Sequence, residues 1–326
     1  MKSRLIILWI IWTLVGAGLI YIISAAESDN NPVSIIANII SLAPIMGMML
    51  ALGAPKALQQ FKVWLQNDEN SLHYIAGGFT LLFAVPGILK ISFNPYYTVI
   101  FAFMVWSILG SLKQLKSESF SLSWMDLAFW VLLWIPFDLR WTTDMLPSLG
   151  YTWWSMAISV VAVIGWYGFR NAESGYRLVP KIKDLYIALI ALAGIMVVVV
   201  PPGIISGFLT FAIPEHINGS KLATHFIGLF LTVALPEELF FRGLLLRGLE
   251  KATTKKWVPM VVSSLAFGLM HWNNVSDLST QITYVLLATI AGVGYAWAYK
   301  KSGNNLLAAI LTHTLVDWIW KLLLAG

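Results

Sequence analysis

The stretch Leu235-Pro236-Glu237-Glu238-Leu239-Phe240-Phe241-Arg242-Gly243 sets two adjacent carboxylates inside a long apolar run. On a helix, Glu238 and Arg242 are four positions apart, share a face and can pair. Glu237 lies about 100° further round and escapes that pair. Pro236 has no N–H, so the carbonyl of Thr232 loses its usual donor, and a kink with a polar pocket is expected there. Two later apolar stretches bring more polar groups. One is Phe267-Gly268-Leu269-Met270-His271; the other is His313-Thr314-Leu315-Val316-Asp317, whose His and Asp again share a helical face.

Two carboxylates, an arginine, two histidines and a further carboxylate are what a hydrolase needs. A desolvated carboxylate can act as general base toward water. Histidine can hold that water, pass on a proton or bind a metal, and groups from another helix can stabilise an oxyanion. Glu237, His271, His313 and Asp317 are also candidate ligands for a catalytic Zn2+ with one open position. Each motif has a plainer reading when taken alone: an ion-pair network that sets helix packing, an interfacial His271 beside Trp272, and a packing hydrogen bond between His313 and Asp317. His73, His216 and His225 have no such company and read as structural.

The elements that must position these residues follow from composition. Of 326 residues, 58% are hydrophobic and only 11% charged, against about a quarter charged in globular proteins. The expected fold is an all-α, polytopic transmembrane helical bundle embedded in a lipid bilayer. The absence of cysteine excludes disulfides, thiolate metal sites and a cysteine nucleophile. The net charge of +5 is spread over short loops, so it gives no nucleic-acid signal.

Apolar runs at 5–24, 34–53, 73–92, 96–112, 121–137, 152–169, 185–212, 223–246, 257–272, 279–299 and 305–324 suggest roughly eleven spans of the ~20 residues a bilayer requires. The first run is too long for a signal-peptide core and reads as a retained helix. Pro201-Pro202-Gly203 marks 185–212 as a candidate broken helix. With a cytoplasmic N-terminus, all of the 21 Lys and Arg except Lys90, Arg140, Lys221 and Lys321 fall on the inner side, as topology rules require. The hydrophilic connection 170–184 suggests a boundary between membrane helices of unknown role at 1–180 and a catalytic core at 181–326.

Glu237-Glu238-x-x-x-Arg242, then Phe267-x-x-x-His271, then His313-x-x-x-Asp317 resembles, in order and spacing, the three motifs of a known family. This is the CAAX protease and bacteriocin-processing family (CPBP or Abi) of intramembrane endopeptidases, which includes the Rce1-type prenyl-protein proteases. Gly294–Leu307, with its Lys300-Lys301-Ser302-Gly303-Asn304 stretch, is also similar to that family. The resemblance covers about 222–320.

It implies a membrane protease that cuts a membrane-associated protein or peptide. Glu237 would be the water-activating base, helped by His271, with Glu238 and Arg242 as second carboxylate and partner. His313 and Asp317 would match the pair that stabilises the oxyanion. An ionised aspartate cannot donate a hydrogen bond, so Asp317 would orient His313, carry a proton or ligate a metal. The motifs do not decide metal dependence. Short loops without appended domains suggest a bacterial inner membrane. The rival readings are a non-catalytic immunity or binding protein of the same fold and a proton-coupled transporter. The transporter would need a counterpart of the glutamate pair in a repeated first half, and residues 1–180 contain none.

Overall fold

The computed structural model describes residues 2–26, 31–89, 95–115, 119–139, 141–142, 150–173, 175–212 and 219–324; Lys90, Arg140 and His216 lie outside them. The described residues are helical, with no strand. The chain divides into two compact units, Met1–Ala172 and Glu173–Gly326. Eight helices among the described residues are long and apolar enough to cross a bilayer.

The first unit contains α1 (Lys2–Ala26), α2 (Pro32–Leu52), α3 (Pro55–Asn67), α4 (Ser71–Leu89), α5 (Pro95–Gln114), α6 (Trp124–Asp138) and α7 (Gly150–Phe169). Helix α3 lies between two expected spans, and only Ala57, Phe61 and Leu65 are buried, the i, i+4, i+8 stripe of an amphipathic helix. Helix α6 has 15 residues, short of a full crossing. The core of this unit is α7, 94% buried, where Trp153, Trp154 and Trp166 have almost no exposed surface.

Arg170, just past α7, locks the unit. Its guanidinium meets Asp126 through Nε at 3.1 Å and Nη2 at 2.8 Å, and also donates to the carbonyls of Leu115 and Ser121. Asp126 further accepts from Trp166 Nε1 and from the backbone and hydroxyl of Ser123, the N-cap of α6. Both Asp126 oxygens are therefore saturated, as a buried charge requires.

The second unit contains α8 (Ile182–Ile205), α9 (219–252), α10 (Val258–Leu269), α11 (Leu278–Lys301) and α12 (Leu306–Leu324). The expected break at Pro201-Pro202-Gly203 is not there. Helix α8 runs through both prolines and stops at Ser206, followed by Gly207 at φ +72°. Each proline removes the rung to the carbonyl four residues back, at Val197 and Val198, yet the helix carries on for about one more turn.

Ile187 and Ala191 of α8 pack against Ala298 of α11 and Ala308 of α12. The 175–177 segment is stapled beneath the α11–α12 turn, where Leu306 N donates to Gly175 O at 3.1 Å. At φ +72°, with Asn304 O where a Cβ would stand, only glycine fits position 175. At the same end, Glu250 pairs with Arg247 at 2.7 Å and with Lys300. Burial tends to raise the Glu250 carboxyl, but hydrogen bonds from Lys300 and Arg247 hold it below its ordinary value.

Two measurements check these locks. Arg170→Gln leaves Asp126 buried and unpaired and is expected to cost about 3–5 kcal/mol, read as a lowered unfolding midpoint in detergent. For Glu250, stability is present above the ordinary glutamate pKa of 4.5 and lost as pH falls through the depressed folded value. The gap in melting temperature between wild type and Glu250→Gln is therefore expected to close at acid pH.

Candidate active site

Helix α9 carries the glutamates on an irregular backbone. Residues Phe230–Ala234 form a π-turn, and Leu235 N reaches back five residues to Phe230 O. Residues Leu239–Leu246 are again π-helical, so the short α-turn Leu235–Glu238 is bracketed on both sides. The cause of the first π-turn is Pro236, whose missing N–H removes a regular rung at Thr232. The kink expected at the proline is thus realised as a change of helical pitch.

Glu238 and Arg242 sit on one face of α9 and form an ion pair, Arg242 Nη1 to Glu238 Oε1, 2.9 Å long, with both side chains fully buried. Arg242 Nη2 donates to the backbone carbonyl of Gly292 on α11 at 2.8 Å. The guanidinium lies over the rings of Phe267 (4.7 Å) and Tyr295 (5.2 Å), a cation–π environment that replaces water. Gly292 allows the approach. A Cβ there would crowd Arg242 Nη2, Phe267 and Ser264, all at 3.1–3.3 Å.

Helix α12 supplies His313 and Asp317. Its N-terminal end is capped by Asn305, whose side chain accepts from Leu307 N. Its C-terminal part is tied to the start of α9 by Trp318 Nε1, which donates to Leu222 O at 3.1 Å. His313 Nδ1 is 2.9 Å from Glu238 Oε1, and Nε2 is 3.4 Å from Asp317 Oδ2 and 3.8 Å from Glu237 Oε2. With an ionised carboxylate at each nitrogen, the ring donates on both sides. Three carboxylates, one arginine and one histidine are thus gathered in a single cluster.

His271 stands apart. Sequence reading placed it on a span, but α10 ends at Leu269 and His271 sits just beyond, ahead of the turn Trp272–Asn274. Its Nδ1 is 2.9 Å from Phe267 O, capping a carbonyl that the helix end leaves without a donor. A hydrogen on Nδ1 leaves Nε2 as the free nitrogen. The Phe267 ring is wedged between the two histidines, 4.8 Å from His271 and 5.4 Å from His313. Among the described residues His271 makes no hydrogen bond to the cluster, and its other face meets Tyr284 at 5.0 Å.

Exposure separates the two glutamates. Oε2 of each lacks a hydrogen-bond partner. The Glu238 side chain is sealed at 0%, whereas Glu237 keeps 12% and Asp317 19%. Glu237 and Asp317 are therefore the acidic side chains of the cluster that keep some exposed surface. Of the four residues considered as metal ligands, Glu237, His313 and Asp317 lie together and His271 lies apart; among the described residues no group of three His, Asp or Glu side chains is placed to hold one ion. Helix α11 adds two groups that sequence reading missed, the Gly292 carbonyl and the Tyr295 ring. The only signal was its small-residue stripe Ala288, Ala291 and Gly292 leading to Tyr295.

Removing Arg242 would strand the sealed Glu238. Arg242→Met is expected to cost about 3–5 kcal/mol, and Arg242→Lys to recover only part of it, because an ammonium lacks the fork that spans Glu238 and Gly292. Unfolding midpoints of the two variants measure both effects.

No curated protein and no solved structure matches the chain. Residues 219–319 match the family described as type II CAAX prenyl endopeptidase Rce1-like. That span covers α9 to the last part of α12 and holds all six of Glu237, Glu238, Arg242, His271, His313 and Asp317. This C-terminal third of the chain is similar to the Rce1-like family of CAAX endopeptidases.

Proposed function

We propose that the protein is an intramembrane endopeptidase that cuts a membrane-associated protein or peptide, with a water activated by Glu237. The observation that carries this reading is Glu237 Oε2, buried and without a hydrogen-bond partner, 3.8 Å from His313 Nε2 and beside a Glu238 whose Oε1 Arg242 already holds. Two polar atoms at that separation, without a hydrogen bond, suit a bridging water. The family match supports peptidase chemistry at the level of the family.

In the proposed reaction Glu237 takes a proton from water, and the water oxygen bonds to the carbonyl carbon of the scissile peptide. The carbonyl π electrons move onto oxygen, and a histidine N–H donates to the resulting oxyanion. His313 Nε2 is the nitrogen closest to Glu237, and Asp317 orients that ring. When the C–N bond breaks, the proton held by Glu237 passes to the leaving amine. His271, with Nδ1 committed to the Phe267 carbonyl, presents Nε2 as a second group toward the substrate. Glu238 and Arg242 keep His313 in place. The setting we propose is a bacterial inner membrane, with the N-terminus cytoplasmic.

The test is cleavage of a labelled membrane-anchored peptide by purified protein in lipid discs. Glu237→Gln is expected to lower kcat by about 10²–10⁴-fold, the range for loss of a general base. Wild-type-like turnover in that variant would remove Glu237 from the base role. Activity that survives a strong chelator agrees with a carboxylate mechanism; loss of activity with recovery on Zn2+ would transfer activation of water to a metal. Matched prenylated and unprenylated peptides decide whether this chain uses the lipid group named in the family description.

A further inference from the structure

We infer that Tyr295 is a positioning residue of the active site. It fixes the plane of the His313 ring, and so keeps the imidazole nitrogens in line with the carboxylates they face. This rests on the proposed hydrolytic role of the cluster.

The observation is a two-walled box around one ring. Tyr295 lies flat against the imidazole, with centroids 4.5 Å apart and an interplanar angle of 15°. Phe267 meets the same imidazole edge-on, at 5.4 Å and 82°. A parallel wall and a perpendicular wall together oppose rotation of a histidine about its last torsion, which is otherwise broad. That torsion matters at this position. A half-turn would put Cδ2 and Cε1 where Nδ1 and Nε2 stand, and the ring would lose the 2.9 Å contact to Glu238 and the 3.4 and 3.8 Å approaches to Asp317 and Glu237.

The walls are themselves held. Tyr295 and Phe267 stand 5.7 Å apart at 86°, and Arg242 lies over both rings. Tyr295 is one turn beyond Gly292, whose carbonyl binds Arg242, so one short piece of α11 aligns both the arginine and the histidine. Tyr295 is 2% exposed and forms no part of the reachable face, so the argument is for alignment rather than contact with substrate.

Stacking needs the ring and not its hydroxyl, and this makes the inference testable. In the disc assay, Tyr295→Phe is expected to keep kcat and KM within about twofold of wild type. Tyr295→Leu, which fills space without a flat wall, is expected to lower kcat at least tenfold with KM nearly unchanged and the melting temperature close to that of Tyr295→Phe. Unchanged kcat in Tyr295→Leu would overturn the inference. So would a Tyr295→Phe variant as slow as Tyr295→Leu, which would assign the effect to the hydroxyl. A fall in kcat that tracks a collapse in melting temperature would reduce Tyr295 to packing. If the wild type cleaves no peptide, the proposed function fails instead. The orientation claim is then read from the 15N shifts of labelled His313, expected to change in Tyr295→Leu and not in Tyr295→Phe.

Discussion

A charge at bilayer depth costs several kcal/mol unless it is paired, and the second unit is arranged around one such pair, Glu238 with Arg242. Because both lie on α9, the pair needs no partner helix to form. Sealing it from lipid does need partners. Arg242 takes the Gly292 carbonyl from α11, and the rings of Phe267 and Tyr295 close over its guanidinium. Glu238 shares its bonded oxygen with His313 from α12. One ion pair thus calls on three other helices, and the cluster is the result.

The two units show what distinguishes a buried pair that only holds structure. Asp126 and Arg170 meet through two hydrogen bonds, and backbone, hydroxyl and indole groups take up the remaining capacity of the carboxylate. In the second unit Glu237 Oε2, Glu238 Oε2 and Arg242 Nε are left without partners. Unsatisfied buried groups are costly, and their concentration around one histidine is what a site that receives water and substrate would retain.

Sequence spacing was informative where one helix supplies both partners. The i, i+4 relations of Glu238 with Arg242 and of His313 with Asp317 are local, and the structure contains both contacts. The all-α membrane class was equally legible, because composition alone leaves no other way to satisfy so apolar a backbone. Contacts between helices were not legible. Nothing in residues 278–301 announces a carbonyl for Arg242 or a ring for His313, since a glycine and a tyrosine in an apolar helix are ordinary packing residues. The double proline of α8 misled for a related reason. Two rungs are lost there, yet the helix runs on to Ile205, so a Pro-Pro pair in an apolar run did not mark a break. His271 looked like a mid-span residue because the apolar pattern continues past the true end of α10.

The placement of these partners along the chain also bears on how the protein enters its membrane. Helix α9 emerges with Arg242 already four residues from Glu238, so that carboxylate can be neutralised while the helix is still alone. The histidine that approaches Glu237 belongs to α12 and is made only after two further helices, α10 and α11. During synthesis, the carboxylate without a partner on its own helix must wait for α12. The site is therefore assembled only when a helix made well after α9 has joined it.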